Sequence, residues 1–304
     1  MSSVAIGIFD GVHAGHQSII AQARENGEHG EHGEHGEHGE VTVLTFDPHP
    51  TSIFAPERTP SQLMSITDRI DLLKAHGAKE VVVLSFTEEF SMKSAQEFID
   101  EILLAELGAT HISVGENFTF GHKAAGTIAT LQARSEFKTS AVKLSENRGS
   151  PISSSRIRTL VTDGDVERAA ELLTRRFYLK GLVVHGEKRG REIGYPTANI
   201  GLVDLATIPA DGVYAGWLSV AGNSWPAAIS IGTNPTFPGV RGRQVEAYAL
   251  DQSGLDLYDQ EAKVDFGWRL RDTLKFDGLE PLLVQMKKDC TEAARLTSSV
   301  NGPQ

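Results

Sequence analysis

The chain has 304 residues, enough for two domains that each bury a core. Its net charge of −11 argues against a nucleic-acid surface, which needs clustered Lys and Arg, but leaves ATP binding open. No apolar run approaches membrane-spanning length, and an apolar strand pattern that begins at Val4 leaves no room for a signal peptide. Cys290 is the single cysteine of the sequence, so an intrachain disulfide is excluded. We expect a cytoplasmic protein that binds neither nucleic acid nor membrane, and the oligomeric state stays open.

The first apolar run, residues 4–9, predicts a buried strand that breaks at Asp10-Gly11, and a helix can begin near Gly15. A strand that leads directly into a helix presents free backbone N–H groups, and these favour a bound phosphate. His13 and His16 are three residues apart, so both imidazoles can face the same way on the first helical turn. The pattern predicts a phosphate site.

A low-complexity tract of four Glu-His-Gly triplets, residues 28–39, follows this helix. Its histidines could bind a transition metal. The tract has no periodicity suited to a packed element, however, so we interpret it as a solvated loop expansion that the fold tolerates.

Strands then alternate with helices, which predicts a doubly wound parallel sheet. The predicted strands are 41–46, 81–86, 111–114 and 140–144. The predicted helices are 67–77, 94–107 (opened by a capping box of Ser94 and Glu97), 127–137, one that begins after Ser153, and 166–173.

From Tyr178 onwards the pattern changes to short β-rich runs separated by Gly, Pro and Asp, which predicts a small antiparallel β-barrel. A final amphipathic helix, residues 279–295, is expected to pack against it. We place the domain boundary near Arg175-Arg176, which divides the chain into residues 1–175 and 176–304. The predicted barrel runs are 178–184, 213–220, 227–231, 245–250 and 262–270.

The stretch G-I-F-D-G-V-H-A-G-H, residues 7–16, resembles the nucleotidylyltransferase signature as it occurs in the flavin-adenylating module of bacterial FAD synthetases. The resemblance implies that His13 and His16 are catalytic and contact ATP phosphates. It implies flavin contacts from Asp47, Pro48, His49 and Asn117. The ATP contacts that it implies are Gly7, Phe9, Asp10, Gly15, Asn117, Ser154, Ser155 and Arg158.

The run G-Y-P-T-A-N, residues 194–199, closely resembles the riboflavin kinase motif, and residues 232–237 and 245–248 also follow the kinase pattern. The resemblance implies that Thr197 and Asn199 hold Mg²⁺ and that Glu246 is the base for the ribityl hydroxyl. It further implies ATP contacts from Gly186, Gly190 and Gly194, and flavin contacts from Arg271 and Phe276. Carboxylates without a motif remain as rivals to Glu246, namely Asp251, Asp256, Asp265 and Asp272.

The resemblance implies a bifunctional enzyme that uses Mg²⁺ with ATP. The C-terminal domain would phosphorylate riboflavin to FMN, and the N-terminal domain would adenylate FMN to FAD. Two alternatives stay open: a nucleotidylyltransferase with a single activity or another acceptor, and a flavin- or metal-binding protein without turnover.

Overall fold

The computed structural model describes residues 2–28, 40–186, 190, 193–202, 205–233, 243–300 and 302. The chain divides into two compact units, Met1–Ser154 and Ser155–Gln304. Most of the Glu-His-Gly tract, residues 29–39, lies outside the described residues, and so does the segment 234–242. The sequence-based boundary near Arg175-Arg176 concerns function and stays a prediction.

The first unit is built on a parallel sheet of five strands among the described residues, in the order β3-β2-β1-β4-β7. The unit's strands are β1 (Ser2–Ile6), β2 (Val41–Asp47), β3 (Glu80–Ser85), β4 (Ala109–Gly115), β5 (Thr119–Phe120), β6 (Gly126–Thr127), β7 (Lys138–Val142), β8 (Glu146–Asn147) and β9 (Ser150–Pro151). Its helices are α1 (Ala14–Glu28), α2 (Thr51–Phe54), α3 (Ile66–Ala75), α4 (Glu88–Ser91), α5 (Ala95–Glu97, continued by a π-helix over Phe98–Glu106) and α6 (Ile128–Gln132), with short 3-10 turns at Pro56–Arg58 and His122–Ala124.

Alternating side chains of β1 show that helices cover both faces of this sheet. Val4 and Ile6 join the core formed with the π-helix, whose buried residues include Ile99. Ser3 points the other way, where its hydroxyl donates to the carbonyl of Ala23 in α1 at 2.6 Å. Because successive strand residues face opposite sides, the sheet is doubly wound as the sequence predicts.

One predicted helix is shorter than expected. The pattern predicts a helix over 127–137, whereas α6 ends at Gln132. The turn closes where the N–H of Arg134 donates to the carbonyl of Leu131, and the Arg134 guanidinium then pairs with Glu136 at 2.6 Å. Phe137 enters the core directly before β7 begins, so its burial reflects a strand approach and not a helix face.

The second unit begins at Ser155 with most of α7, whose first residue is Ser154, and contains an antiparallel barrel that closes on itself. Its strand order is β10-β11-β14-β13-β12-β15, with β15 pairing back to β10. The elements are α7 (Ser154–Thr162), α8 (Val166–Leu173), β10 (Phe177–Val184), β11 (Ala198–Gly201), β12 (Gly212–Val220), β13 (Asn223–Gly232), β14 (Gln244–Ala249), β15 (Glu261–Arg271) and α9 (Leu279–Ser298).

The barrel core and its helices follow the predicted pattern with one addition. The rings of Phe177 and Tyr214 both pack against Phe266 inside the barrel, with centroids 6.1 and 5.4 Å away. Helix α9 packs outside through the buried Ala293. Strand β11 was not predicted, because it is four residues long and its pattern is diluted by the preceding Pro196.

Candidate active sites

The loops after β1 and β4 leave the first sheet side by side at its carboxyl edge. β1 pairs with both β2 and β4, and all of these strands are parallel. Open α/β sheets bind ligands in the crevice at such a point, where the chain changes its winding direction. The structure therefore brings together two of the predicted segments, residues 7–16 and 115–121.

The loop between β1 and α1 is strained. Phe9, Gly11 and Val12 have φ angles of 54°, 89° and 40°. Such angles suit glycine, but they cost other residues about 1–3 kcal/mol each, and a β-branched valine adopts them least readily. The side chains of Phe9 and Val12 are fully buried, and the Val12 N–H donates to the Phe9 carbonyl at 3.0 Å. Burial therefore holds an unusual turn directly before the two histidines.

His13 and His16 stack on each other at the start of α1. Their ring centroids are 3.5 Å apart with an interplanar angle of 19°, and Phe9 meets His16 edge to face. The main-chain N–H of His16 donates to Nδ1 of His13 at 3.4 Å, so a neutral His13 ring carries its proton on Nε2. A Cβ on Gly15 would lie 3.3 Å from the His13 ring. The structure thus pairs the two imidazoles at a helix N-terminus.

Asp10 is enclosed by protein groups. Asp10 is 2% exposed, and both of its carboxylate oxygens accept the Leu63 N–H at 3.1 Å. Nη2 of the buried Arg69 lies 4.0 Å from Oδ1 of Asp10, and Nη1 of Arg69 donates to the Phe46 carbonyl at 3.2 Å. The carbonyl of Asp10 accepts the hydroxyl of Ser154 at 2.8 Å. The carboxylate of this predicted ATP ligand therefore connects segments of the protein.

The segment after β2 forms the neighbouring part of the same edge. The Thr45 hydroxyl donates to the Ile8 carbonyl at 2.9 Å, which ties the two segments together. Nδ1 of His49 accepts the N–H of Thr51 at 3.2 Å at the start of α2. In the preceding dipeptide, Asp47 is partly buried and Pro48 is exposed. The predicted flavin residues 47–49 therefore lie at the edge that carries the histidine loop.

The remaining predicted residues of the first site occupy two places. Asn117 is exposed in the loop after β4, where the Phe118 N–H donates to the Gly115 carbonyl at 2.9 Å. Ser155 and Arg158 follow Ser154 in α7, but they belong to the second compact unit. The exposed Ser155 and the half-buried Arg158 keep their assigned roles as predictions.

A chain of phenylalanine rings, which the sequence analysis did not single out, lies at the carboxyl edge of the first sheet. Successive ring centroids are between 5.4 and 6.3 Å apart. A sequence signal existed, because Phe46 and Phe86 lie at the ends of β2 and β3, and Phe118 and Phe120 follow β4 within five residues. In order of contact, the rings are those of Phe46, Phe86, Phe90, Phe98, Phe120 and Phe118.

In the second unit, two glycines of the predicted phosphate loop stand where a side chain would not fit, and a third has a positive φ. A Cβ on Gly186 would overlap the amide group of Asn199, and one on Gly190 would overlap the carbonyl oxygen of Tyr195. Gly194 has a φ of 86°. Residues 187–189 and 191–192 of this loop lie outside the described residues.

Strands β11 and β14 bring the predicted metal ligands to the predicted base. Asn199 pairs directly with Glu246 in the antiparallel ladder, so both side chains share one face. The Thr197 hydroxyl donates to Oε2 of Glu246 at 3.5 Å, a long hydrogen bond between residues 49 positions apart. All three residues are partly buried. The structure thus unites the three residues that the kinase resemblance singled out.

The donor atoms of this cluster fit a magnesium ion. Oδ1 of Asn199 is buried and has no hydrogen-bond partner among the described residues. Leaving such an oxygen unsatisfied costs about 1–3 kcal/mol, so a ligand there is favourable. With Thr197 and Glu246 it makes an all-oxygen set, which Mg²⁺ prefers. In the described part of the chain, no group of three or more His, Cys, Asp and Glu side chains is arranged to hold a metal.

Arg271 is engaged by the final helix. Its Nε donates to Oδ1 of Asp289 at 3.0 Å and its Nη2 donates to Oδ2 at 2.6 Å, which makes a bidentate ion pair. Nη1 donates to the Asp272 carbonyl at 2.9 Å, and Gln285 donates to Asp289 at 2.8 Å. The predicted flavin residue Arg271 therefore anchors the segment between β15 and α9, in which the partly buried Phe276 lies.

Two tyrosines beside the cluster were missed by the sequence analysis, although both adjoin motif residues. The rings of Tyr195 and Tyr248 meet edge to face with centroids 5.2 Å apart, and burial raises the pKa of both phenols. Tyr248 packs in the same cluster as Cys290 of α9. Burial, helped by the charge of Asp289, raises the pKa of the Cys290 thiol to about 11.

Asp265 is the most buried rival to Glu246, and it lies elsewhere on the barrel. It pairs with residues of β10 and β12, not with β11 or β14. Burial raises the pKa of its carboxyl, while Lys263, 2.8 Å away, and Arg176 act in the opposite direction. The Arg176 guanidinium stacks over Trp217 with its carbon 4.0 Å from the ring centroid. These contacts make Asp265 part of a structural ion-pair cluster.

Comparisons with known proteins assign a family to both units. Residues 1–156 match the FAD synthetase family, and residues 173–297 match the riboflavin kinase family. The chain is 36% identical over 305 aligned positions to the bifunctional riboflavin kinase/FMN adenylyltransferase of Bacillus subtilis, covering 98% of this chain and 93% of that protein. The chain belongs to this bifunctional family.

Further relatives agree on the extent of the match. The Listeria monocytogenes bifunctional riboflavin kinase/FMN adenylyltransferase is 36% identical, covering 94% of this chain and 89% of that protein. A crystal structure described as a macrolide-efflux protein from Streptococcus pneumoniae has a TM-score of 0.83 and 32% identity, covering 95% of this chain and 92% of that one. Within the described residues, no helix has the length and apolar character needed to cross a bilayer.

This bifunctional enzyme carries FMN adenylyltransferase activity in the first part of the chain and riboflavin kinase activity in the second. Its substrates are riboflavin, FMN and ATP. The kinase joins the γ-phosphoryl group of ATP to riboflavin and releases ADP. The adenylyltransferase joins the AMP part of ATP to the phosphate of FMN and releases pyrophosphate.

Proposed function

We propose that Glu246 is the general base of riboflavin phosphorylation. The 5′-hydroxyl of the ribityl chain is neutral, so attack on the γ-phosphorus is assisted by a carboxylate that accepts its proton. Glu246 shares a strand face with Asn199 and lies 3.5 Å from the Thr197 hydroxyl. This contact is the observation that carries the assignment, because it unites the base with groups that can hold ATP phosphates.

Thr197 and Asn199 would hold Mg²⁺ through their side-chain oxygens, and the unsatisfied Oδ1 of Asn199 supports this. The ion would offset negative charge on the ATP phosphates. Gly186, Gly190 and Gly194 would form the backbone cradle for those phosphates, since two of them allow close approach and the third has a positive φ.

For adenylyl transfer, no general base is needed. The attacking oxygen belongs to the phosphate of FMN, whose second pKa is about 6, so it is mostly ionised at neutral pH. Catalysis would come from alignment and from donors that stabilise charge on the α-phosphate and on the departing pyrophosphate. His13 and His16 supply such donors at the N-terminus of α1, where the helix dipole also favours negative charge.

The other assigned residues complete the proposal. ATP contacts in the first site come from Gly7, Phe9, Gly15, Asn117, Ser154, Ser155 and Arg158, and flavin contacts come from Asp47, Pro48, His49 and Asn117. Asp10 acts on the shape of the loop because its carboxylate is enclosed. Phe276 contacts flavin in the kinase site, and Arg271 supports it by anchoring that segment to Asp289.

We assign the functional boundary to Arg175-Arg176, which is supported by the start of the riboflavin kinase match at residue 173. The single cysteine of the chain favours a cytoplasmic location, since it needs no oxidising compartment.

The test uses the purified full chain with riboflavin, ATP and Mg²⁺, and separates the flavins by chromatography. FMN should form first and FAD should follow. Glu246→Gln should slow FMN formation about 10²–10⁴-fold, while FAD still forms from supplied FMN at the wild-type rate. Loss of both products from a folded E246Q protein would contradict the assignment of two separate sites.

A further inference from the structure

Arg69 of α3 is a buried cation outside the proposed ligand contacts. It is 4% exposed, and a guanidinium removed from water is stable only where partners replace the lost hydration. Its Nη1 donates to the Phe46 carbonyl at 3.2 Å, and its Nη2 lies 4.0 Å from Oδ1 of Asp10. One side chain therefore connects the end of β2 with the strained loop after β1.

Asp10 extends this connection to two further segments. Both carboxylate oxygens accept the Leu63 N–H, which comes from the segment before α3. The main-chain carbonyl of Asp10 accepts the Ser154 hydroxyl at the start of α7. The loop thus has fixed contacts on three sides. A loop with positive φ at Phe9 and Val12 keeps its shape only where its surroundings impose that shape.

We infer that Arg69 and Asp10 are positioning residues for adenylyl transfer: their buried pair holds the strained loop in the shape that presents His13 and His16. The inference rests on the phosphate role proposed above for these histidines. Neither Arg69 nor Asp10 touches substrate in it. Alignment is where such a pair matters, because a displacement of about 1 Å at a catalytic group can slow a reaction about 100-fold.

Arg69 also has a second consequence for the same site. By holding the Phe46 carbonyl it fixes the end of β2, and the predicted flavin residues 47–49 follow directly. Together with the hydrogen bond from Thr45 to the Ile8 carbonyl, this guanidinium therefore sets the separation between the histidine loop and the flavin side of the edge. Since transfer joins one substrate to the other, that separation controls the rate of the chemical step more than the affinity for either substrate.

The experiment compares Arg69→Met with Arg58→Met in the full chain. Arg58 is a matched control because its side chain is 82% exposed and pairs only loosely with Glu57, at 3.7 Å. We expect R69M to lower kcat for FAD formation about 100-fold with KM for FMN nearly unchanged. Riboflavin kinase activity of the same preparation should be unchanged, and R58M should match wild type in both assays. Arg69→Lys, which keeps the charge, should recover part of the rate.

A nitrogen-15 NMR measurement of the His13 ring separates positioning from simple stability. In wild type Nδ1 accepts the His16 N–H, so Nε2 carries the proton of the neutral ring. R69M should show a mixture of tautomers in the folded protein. A merely structural role would leave the folded fraction with wild-type ring signals and a wild-type rate per folded molecule.

Asp10→Asn serves where R69M does not fold, because Asn keeps an acceptor for the Leu63 N–H while it removes the charge beside Arg69. A folded D10N or R69M protein with wild-type kcat for adenylylation would overturn the inference, as would a lost rate with unchanged His13 signals. His16→Ala distinguishes a failure of this inference from a failure of the proposed histidine role. If H16A also kept full adenylylation, the proposed histidine role would fail instead.

Discussion

Glu246 and Asp265 are both carboxylates on barrel strands, yet their neighbours give them different uses. Asp265 is fully buried, and Lys263 contacts it at 2.8 Å. Glu246 accepts a hydrogen bond from the Thr197 hydroxyl and lies directly across the strand ladder from the Asn199 amide. A carboxylate with oxygen-bearing neighbours suits a cation or a proton from substrate. The sequence singled out Glu246 through its motif, and the strand pairing supplies a physical reason for the choice.

Replacement of Glu246 by Gln should lower kcat for FMN formation by about 10²–10⁴-fold, the usual contribution of a positioned base. Gln keeps the size of the side chain and its contact with Thr197, so folding should be retained. FAD formation from supplied FMN should be unchanged. Asp256→Asn is the control, because Asp256 is an exposed carboxylate on the same barrel, and it should leave both rates at wild-type values. Equal losses in the two variants would remove Glu246 from its role.

Replacement of His16 by Ala should lower the rate of FAD formation about 10²–10³-fold, since a donor to transition-state charge is lost. The kinase rate, measured with riboflavin and ATP, should not change. His76→Ala is a suitable control because His76 ends α3 before β3 begins, at the opposite edge of the sheet. A folded H16A protein with normal FAD synthesis would contradict the assignment.

At the scale of elements, the sequence predicts the parts whose signal is local. Strand periodicity and the Ser94–Glu97 capping box appear in the structure where they are predicted. Strand β11 escaped prediction because four residues carry too little pattern, and β11 happens to carry Asn199. The Arg69–Asp10 contact could not be predicted from the sequence, because residues 59 positions apart meet only through the fold.

The ion pair between Arg271 of β15 and Asp289 of α9 should stabilise the second unit. Asp289→Asn leaves Arg271 without its charged partner in a partly buried place, so we expect the free energy of unfolding to fall by about 2–3 kcal/mol. KM for riboflavin in the kinase reaction should rise, because the segment with Phe276 loses its anchor. Urea unfolding and kinase assays check both effects. Glu292→Gln breaks the exposed pair with Arg295 and should cost no more than about 0.5 kcal/mol.

Cys290 should make the packing of α9 sensitive to alkaline pH. The thiol has an ordinary pKa of 9.0 and a folded pKa of about 11, so the folded state holds the proton more tightly than the unfolded state. Its contribution to stability is therefore complete below pH 9 and is lost as pH rises towards 11. Urea unfolding at pH 8 and pH 10.5 should show a smaller loss in Cys290→Ala than in wild type. Identical losses would show that the thiol is not responsible.

At the scale of the whole molecule, two activities lie on two units with different sheet architectures, one parallel and open, the other antiparallel and closed. Composition and element order predict this division, because alternating helices and strands give way to short β-rich runs at Tyr178. The contact-based division after Ser154 could not be predicted. It depends on where α7 and α8 pack, and α8 packs on β10 and β15 through its buried Val166 and Leu172.

Deletion of residues 28–39 should leave FAD synthesis from riboflavin nearly unchanged, because the tract carries no pattern suited to a packed element. The measurement is the rate of each step in the deleted and intact chains, with and without added Zn²⁺. A deleted chain that stays folded but loses FAD formation would give the histidines a functional role and revive the metal-binding alternative.

Among the described residues, each of the six barrel strands has two neighbours, whereas the parallel sheet ends at β3 and β7. Edge strands are sites of aggregation, because their unpaired N–H and C=O groups can hydrogen-bond to a strand of another molecule. β3 reads Glu-Val-Val-Val-Leu-Ser, a run with high β propensity and little charge. When the enzyme is heated or overproduced, self-association should therefore start from the adenylyltransferase half, and a lysine introduced within β3 should improve recovery of native protein.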